Sequence, residues 1–146
     1  MADNADLARN LYDGWNERDF DRLADMMAPD GEIVVVGTGD VFKGPDGSRQ
    51  YNMAWADGFP DGRITIDNVF SSGDTVVVEF TGHGTHTGTL VTSMGSIPAT
   101  GRPVTLKLCD VTEFRNGKVK SQRSYFDSAS MMAQLGLGAD QAAATP

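Results

Sequence analysis

A chain of 146 residues with 40% hydrophobic and 22% charged residues has room for one domain with a single core. Its net charge of −8 and pI near 4.5 would repel a phosphate backbone, which disfavours nucleic acid as a partner. No apolar run approaches a membrane span, and the acidic opening from Met1 to Asn10 lacks an apolar signal region, so a cytoplasmic protein with no membrane partner is expected.

Asp3 to Glu17 reads as a helix, because Leu7, Leu11 and Trp15 recur every fourth residue with Ala8 and Tyr12 alongside. Asp19 caps a second short helix with Phe20, Leu23 and Met27 as its buried stripe, ended by Pro29-Asp30-Gly31. Glu32 to Val36 is a strand, released into a loop at Gly37-Thr38-Gly39. Gly44-Pro45-Asp46-Gly47 starts a third helix, with proline in its first turn. Ser48, Asn52, Trp55 and Phe59 fall near one face of it, with Tyr51 beside them. After a turn at Pro60-Asp61-Gly62, Arg63 to Phe70 alternates as a strand with Ile64, Ile66 and Phe70 inward. The next strand, Thr75 to Thr87, turns Val76, Val78 and Phe80 inward, and the same phase puts His86 inside and His83 outside. Gly88 to Arg102 is a long loop containing Met94 and Ile97, a lid over a flat apolar ligand or a dimer contact. Asp127 caps a last helix carrying Met131, Met132 and Leu135, stopped by Gly136. Residues 1–137 form the domain, and 138–146, small and polar, a flexible tail.

The most informative stretch is Val104 to Asp127. Asn116-Gly117 separates two alternating segments and suits a type I′ turn, where both central residues need positive φ. A tight turn sets Phe114 opposite Val119, Thr112 opposite Ser121, Asp110 opposite Arg123 and Leu108 opposite Tyr125, all on the apolar face. Glu113 then faces Lys120 outside, and Ser124 also points outward. Asp110 is thus a carboxylate on an apolar face. Desolvation would raise its pKa and make it a usable base near neutral pH. Alternatively it is a structural anion paired with Arg123, whose guanidinium could also hold a substrate oxygen.

His86 either orients a substrate oxygen and relays a proton with Asp110, or is a strand-end histidine bonded to backbone. His83 and His86 point to opposite faces and have no third ligand nearby, so no metal is expected. The lone Cys109 falls on the outer face as a space-filling residue. The order, helices first, then strands joined mostly by turns, then a helix, implies an α+β cone. Its curved antiparallel or mixed sheet is covered by helices and holds an internal pocket. Tyr12, Trp15, Asn52, Trp55 and Phe59, with Met94, Tyr125 and Phe126, are the expected substrate walls. Val77, Cys109 and Val111 on the outer sheet face could pair two subunits into a homodimer or higher homo-oligomer.

Several segments carry a resemblance. Leu11-Tyr12-Asp13-Gly14-Trp15-Asn16, Gly84-Thr85-His86-Thr87-Gly88, Pro98-Ala99-Thr100-Gly101-Arg102, Asn116-Gly117-Lys118-Val119 and Tyr125-Phe126-Asp127 resemble the SnoaL-like polyketide cyclases, which share the cone fold of nuclear transport factor two. The resemblance spans almost the whole chain except the tail. It implies a cofactor-free enzyme of secondary metabolism that removes an activated α-proton from an aromatic polyketide ester and closes a ring by aldol condensation. The acid/base aspartate of that family corresponds here to Ser124, and serine lacks the basicity for that task. Cyclisation or isomerisation of a polyketide-like or polycyclic carbonyl compound by Asp110, with Arg123 and His86 holding oxygens, is therefore expected. Two alternatives stand: a binding protein without chemistry, and an epoxide-opening or hydroxylation-type member using Asp110, Arg123 and Asp127.

Overall fold

The computed structural model describes residues 3–93 and 95–138. Met94 and the tail beyond Gly138, both subjects of expectations above, lie outside the described residues. Helix α1 spans Asn4–Asn16, and its cap is Asp3, whose side chain accepts from the Asp6 amide at 2.8 Å. Ala8, Tyr12 and Trp15 form its buried stripe. Helix α2, Phe20–Asp25, is capped by Asp19 and buries Leu23 and Ala24. Helix α3, Gly44–Gly58, begins with Pro45 in its first turn, and α4, Ser128–Gln134, begins on the Asp127 cap.

The strands are β1 (Met27–Val35), β2 (Asp40–Lys43), β3 (Arg63–Ser72), β4 (Thr75–Thr85), β5 (Leu90–Thr92), β6 (Gly95–Ile97), β7 (Pro103–Arg115) and β8 (Lys118–Phe126). Six of them form one sheet in the order β2-β1-β8-β7-β4-β3, antiparallel except where β1 runs parallel to β8. Helix α1 packs on β3 and β4, and α3 on β1 and β2. Both helices thus roof the same sheet face, and the expected α+β cone is the observed architecture.

Several local expectations are corrected. Met27 opens β1 instead of closing α2, and Pro29-Asp30-Gly31 lies inside β1 as an irregularity in its pairing with β8. The loop after Gly39 holds the short edge strand β2. The register of β3 against β4 shifts between Ile66 and Asn68, so Val69, not Phe70, meets the buried Val78 and Phe70 is 57% exposed. Segment 88–102 contains the β5–β6 hairpin, and Leu90 is buried beside Phe59, Val104 and Leu106.

The largest correction concerns the β7–β8 hairpin. The Asn116-Gly117 turn forms as expected, with φ of 53° and 76°, and Phe114 faces Val119. The register then slips: Glu113 faces Ser121, so Lys120 has no partner across the ladder. Every pair beyond the slip moves by one. Thr112 faces Gln122, Asp110 faces Ser124, and Leu108 faces Phe126. Asp110 keeps its inward phase. Ser124 joins it inside, and Arg123 turns outward.

Candidate functional site

Between the roof helices and the sheet lies a cavity of about 120 Å³. Tyr12 and Trp15 come from α1, Asn52 and Trp55 from α3, and Phe59 from its C-terminal cap. Phe80, Leu106 and Leu108 form much of the sheet side. The exposed Arg63 and His83 belong to the wall at one end, which marks that end as the mouth.

Asp110 stands on the sheet side of this cavity with 2% of its surface exposed. The Tyr12 hydroxyl donates to its Oδ2 at 2.7 Å, and the Gln122 amide donates to the same oxygen at 3.2 Å. Oδ1 has no hydrogen-bond partner among the described residues. The Asp110 pKa is pushed up to about 6. Burial is the largest cause, and Tyr12, Ser124 and Gln122 pull partly the other way by favouring the charged form. The arrangement fixes one carboxylate oxygen and leaves the other buried and without a partner in an apolar wall.

A second hydroxyl pair completes the polar floor. Ser124 is fully buried opposite Asp110, and the Tyr51 hydroxyl donates to Ser124 Oγ at 3.4 Å. Burial first, then the Asp110 charge, pushes the Tyr51 pKa up to about 12. The Tyr12 phenol is also raised well above its ordinary value, again by burial before Asp110. Both remain protonated donors at neutral pH. Asn52 donates its side-chain amide to the Ser48 carbonyl at 2.8 Å.

Not every residue expected at the site converges there. Tyr12, Trp15, Asn52, Trp55, Phe59 and Asp110 are brought together around the cavity. Arg123 is not: the register slip puts it on the outer face, where it pairs with Glu113 at 3.1 Å. The ion pair with Asp110 weighed above is therefore absent. Tyr125 follows the same phase and is 42% exposed beside Cys109. Phe126 turns inward but packs edge-on against Trp55, 5.5 Å between ring centres. His86 is buried behind Phe59, 5.5 Å from that ring, and is not part of the cavity wall. Its Nδ1 accepts from the Thr100 amide at 3.2 Å, and its backbone bonds to Gly101 and Arg102, so it ties the base of segment 88–102. His83 is exposed, as its phase required. Asp127 caps α4 and Arg123 faces away, so the Asp-Arg-Asp group is not assembled.

Tyr51, Gln122 and Ser124 were missed or misplaced by the strand pattern. Tyr51 stood beside the assigned face of α3, and a parity check across β8 would have exposed the other two. Among the described residues no three His, Cys, Asp or Glu side chains gather in a metal-holding cluster, and no helix is long and apolar enough to cross a membrane.

A sequence model of the SnoaL-like polyketide cyclases matches residues 5–135. No curated protein matches the chain. Among solved structures, IdmH from Streptomyces antibioticus, a candidate polyketide cyclase, is 28% identical at a TM-score of 0.70, covering 92% of this chain and 99% of its own. A candidate SnoaL-like polyketide cyclase from Jannaschia is 22% identical at 0.78, covering 90% of each chain. AclR from Streptomyces galilaeus, a candidate hydroxylase, is 21% identical at 0.76, covering 93% of this chain and 97% of its own. At those lower identities the likeness is one of fold. With 5–135 matched and the cone fold in place, the chain belongs to the SnoaL-like polyketide cyclase family.

Proposed function

We propose that the protein is a cofactor-independent enzyme that removes a proton α to a carbonyl, with Asp110 as the base. One observation carries this reading: a buried carboxylate on the cavity wall, with Oδ2 held by two donors and Oδ1 without a partner. A base pKa near 6 leaves Asp110 mostly ionised at neutral pH yet still able to hold a proton transiently. The α-proton moves to Oδ1. The C–H electron pair becomes the C=C bond of an enolate, and the carbonyl π pair moves onto oxygen. The enolate carbon then attacks a second carbonyl carbon, whose π pair moves onto its own oxygen and takes the proton back from Asp110, closing a ring; or the enolate takes that proton at a different carbon, giving an isomer.

A cavity of this size is close to one known to hold a benzene-sized ring, roughly 150 Å³. A polycyclic substrate would therefore present its reacting ring to Asp110 and extend toward Arg63 and His83. Tyr12, Trp15, Asn52, Trp55 and Phe59 would grip the ring faces. A homodimer remains part of the proposal, because Val77, Cys109 and Val111 are only half-buried on the outer sheet face. The test is deuterium exchange of a small cyclic 1,3-dicarbonyl in heavy water, followed by NMR. Asp110→Asn should lower the rate at least a hundredfold. Equal exchange by both proteins would remove the proposed base. A binding role without chemistry is the second reading, favoured by Ser124 at the position where the family carries its acid. Tight retention of a ring compound with no exchange in the wild type would select it.

A further inference from the structure

We propose that Tyr51 is a second catalytic residue, whose hydroxyl binds the substrate carbonyl oxygen while Asp110 works on the adjacent carbon. The inference rests on the reading of Asp110 as the base, and it names the group that receives the negative charge Asp110 creates.

An enolate oxygen in a dry cup needs a donor aimed at it before the reaction begins. The cations expected to serve cannot: Arg123 is outside and His86 is behind Phe59. Three neutral donors of the wall are committed at shorter distances, Tyr12 to Asp110 at 2.7 Å, Asn52 to the Ser48 carbonyl at 2.8 Å and Gln122 to Asp110 at 3.2 Å. Tyr51 differs. Its bond to Ser124 Oγ is 3.4 Å, well beyond the 2.7–2.8 Å usual for hydroxyl donors, so a better acceptor can displace it at little cost.

The geometry around Tyr51 fits the role. Its ring lines the cavity and is fixed by Phe42, 5.4 Å away at 57°. The Trp55 side chain acts on the same phenol oxygen, and an accepted hydrogen bond strengthens the one a hydroxyl donates. Ser124 sits between Tyr51 and Asp110, directly across the strand pair from the carboxylate. Donor and base thus flank the single buried hydroxyl of Ser124, one bonded to it and the other across the strand pair from it, a gap that suits a C–C=O unit. The substrate class follows: a planar carbonyl compound whose oxygen points toward α3 while its α-carbon faces β7. Tyr51 keeps its proton throughout. It donates a hydrogen bond that strengthens as charge builds on oxygen.

Asp110→Asn mimics the protonated base, and a phenolate mimics the enolate. Titrating this variant with 4-nitrophenolate, read by absorbance, isolates the oxygen site from turnover. Binding should weaken at least tenfold when Tyr51→Phe is added. It should persist, or tighten, when Ser124→Ala is added instead, because that change frees the Tyr51 hydroxyl. Equal weakening by both additions would mean that the Tyr51–Ser124 bond is only structural, and would overturn the proposal. So would no phenolate binding by Asp110→Asn, or binding unaltered by Tyr51→Phe. Failure of the base reading shows elsewhere, as proton exchange that survives Asp110→Asn.

Discussion

Burying Asp110 lifts its pKa from 3.8 to about 6, so one carboxyl links stability to activity. Between those pH values the folded chain holds a proton that the unfolded chain has lost. Stability therefore falls as pH rises through that window and levels off above it. The gap corresponds to about 3 kcal/mol. Asp110→Asn removes this cost, and thermal melts should show the variant stabilised at pH 7.5 relative to wild type, with little gain at pH 4. A variant destabilised equally at both values would show a structural anion. Activity runs the opposite way: kcat/KM should climb about tenfold per pH unit up to about 6 and then flatten, since only the ionised carboxyl accepts a proton. The inward phase of Asp110 was legible because Leu106 and Leu108 share its parity on β7. Its real neighbours were not, because Tyr12, Tyr51 and Gln122 reach it from separate elements whose approach no local pattern encodes.

The β7–β8 hairpin shows where alternation stops being a guide. Asn116-Gly117 is explicit, since few residue pairs accept two positive φ values. The slip at Lys120 leaves no such mark. Lysine is neither a turn former nor apolar, and Ser121 to Ser124 are all polar, so no hydrophobic residue reports the change of face. The trace that exists is one of parity: Val119 and Phe126, both inward, are an odd number apart. Tyr125, at the even position, disguised it. Phe70 hid the β3 shift in the same way. Deleting Lys120 should remove the extra residue and leave the pairing beyond it unchanged, with Ser124 inside and Arg123 outside. The urea midpoint should then show a stability change below about 1 kcal/mol. A loss of roughly 3–5 kcal/mol, as expected for an unpaired guanidinium forced into the cup, would mean that the bulge is needed to hold the register.

The end of α3 is strapped from outside by the chain at Gly88 and Leu90. A Cβ on Gly88 would lie 1.9 Å from the Asp57 carbonyl oxygen, so this strap touches the end of α3 backbone to backbone. Leu90 then packs on Gly58, beside Phe59. Gly88→Ala must lift the strap, with an overpacking cost of about 1–3 kcal/mol. The Leu90 amide should lose hydrogen-exchange protection while the β4 and β7 amides keep theirs; uniform loss would show that the strap and the sheet open together. The family and the cone were readable in the sequence because they rest on turns, caps and periodicity spread along the whole chain. The strap was not, since it depends on one close backbone approach. Everything proposed for this molecule requires that Asp110 be dry. Carboxyl-carbon NMR of protein labelled at aspartate, titrated beside Asp110→Asn to identify the resonance, measures that directly. A midpoint near 6 is expected; a midpoint at the ordinary 3.8 would contradict the account.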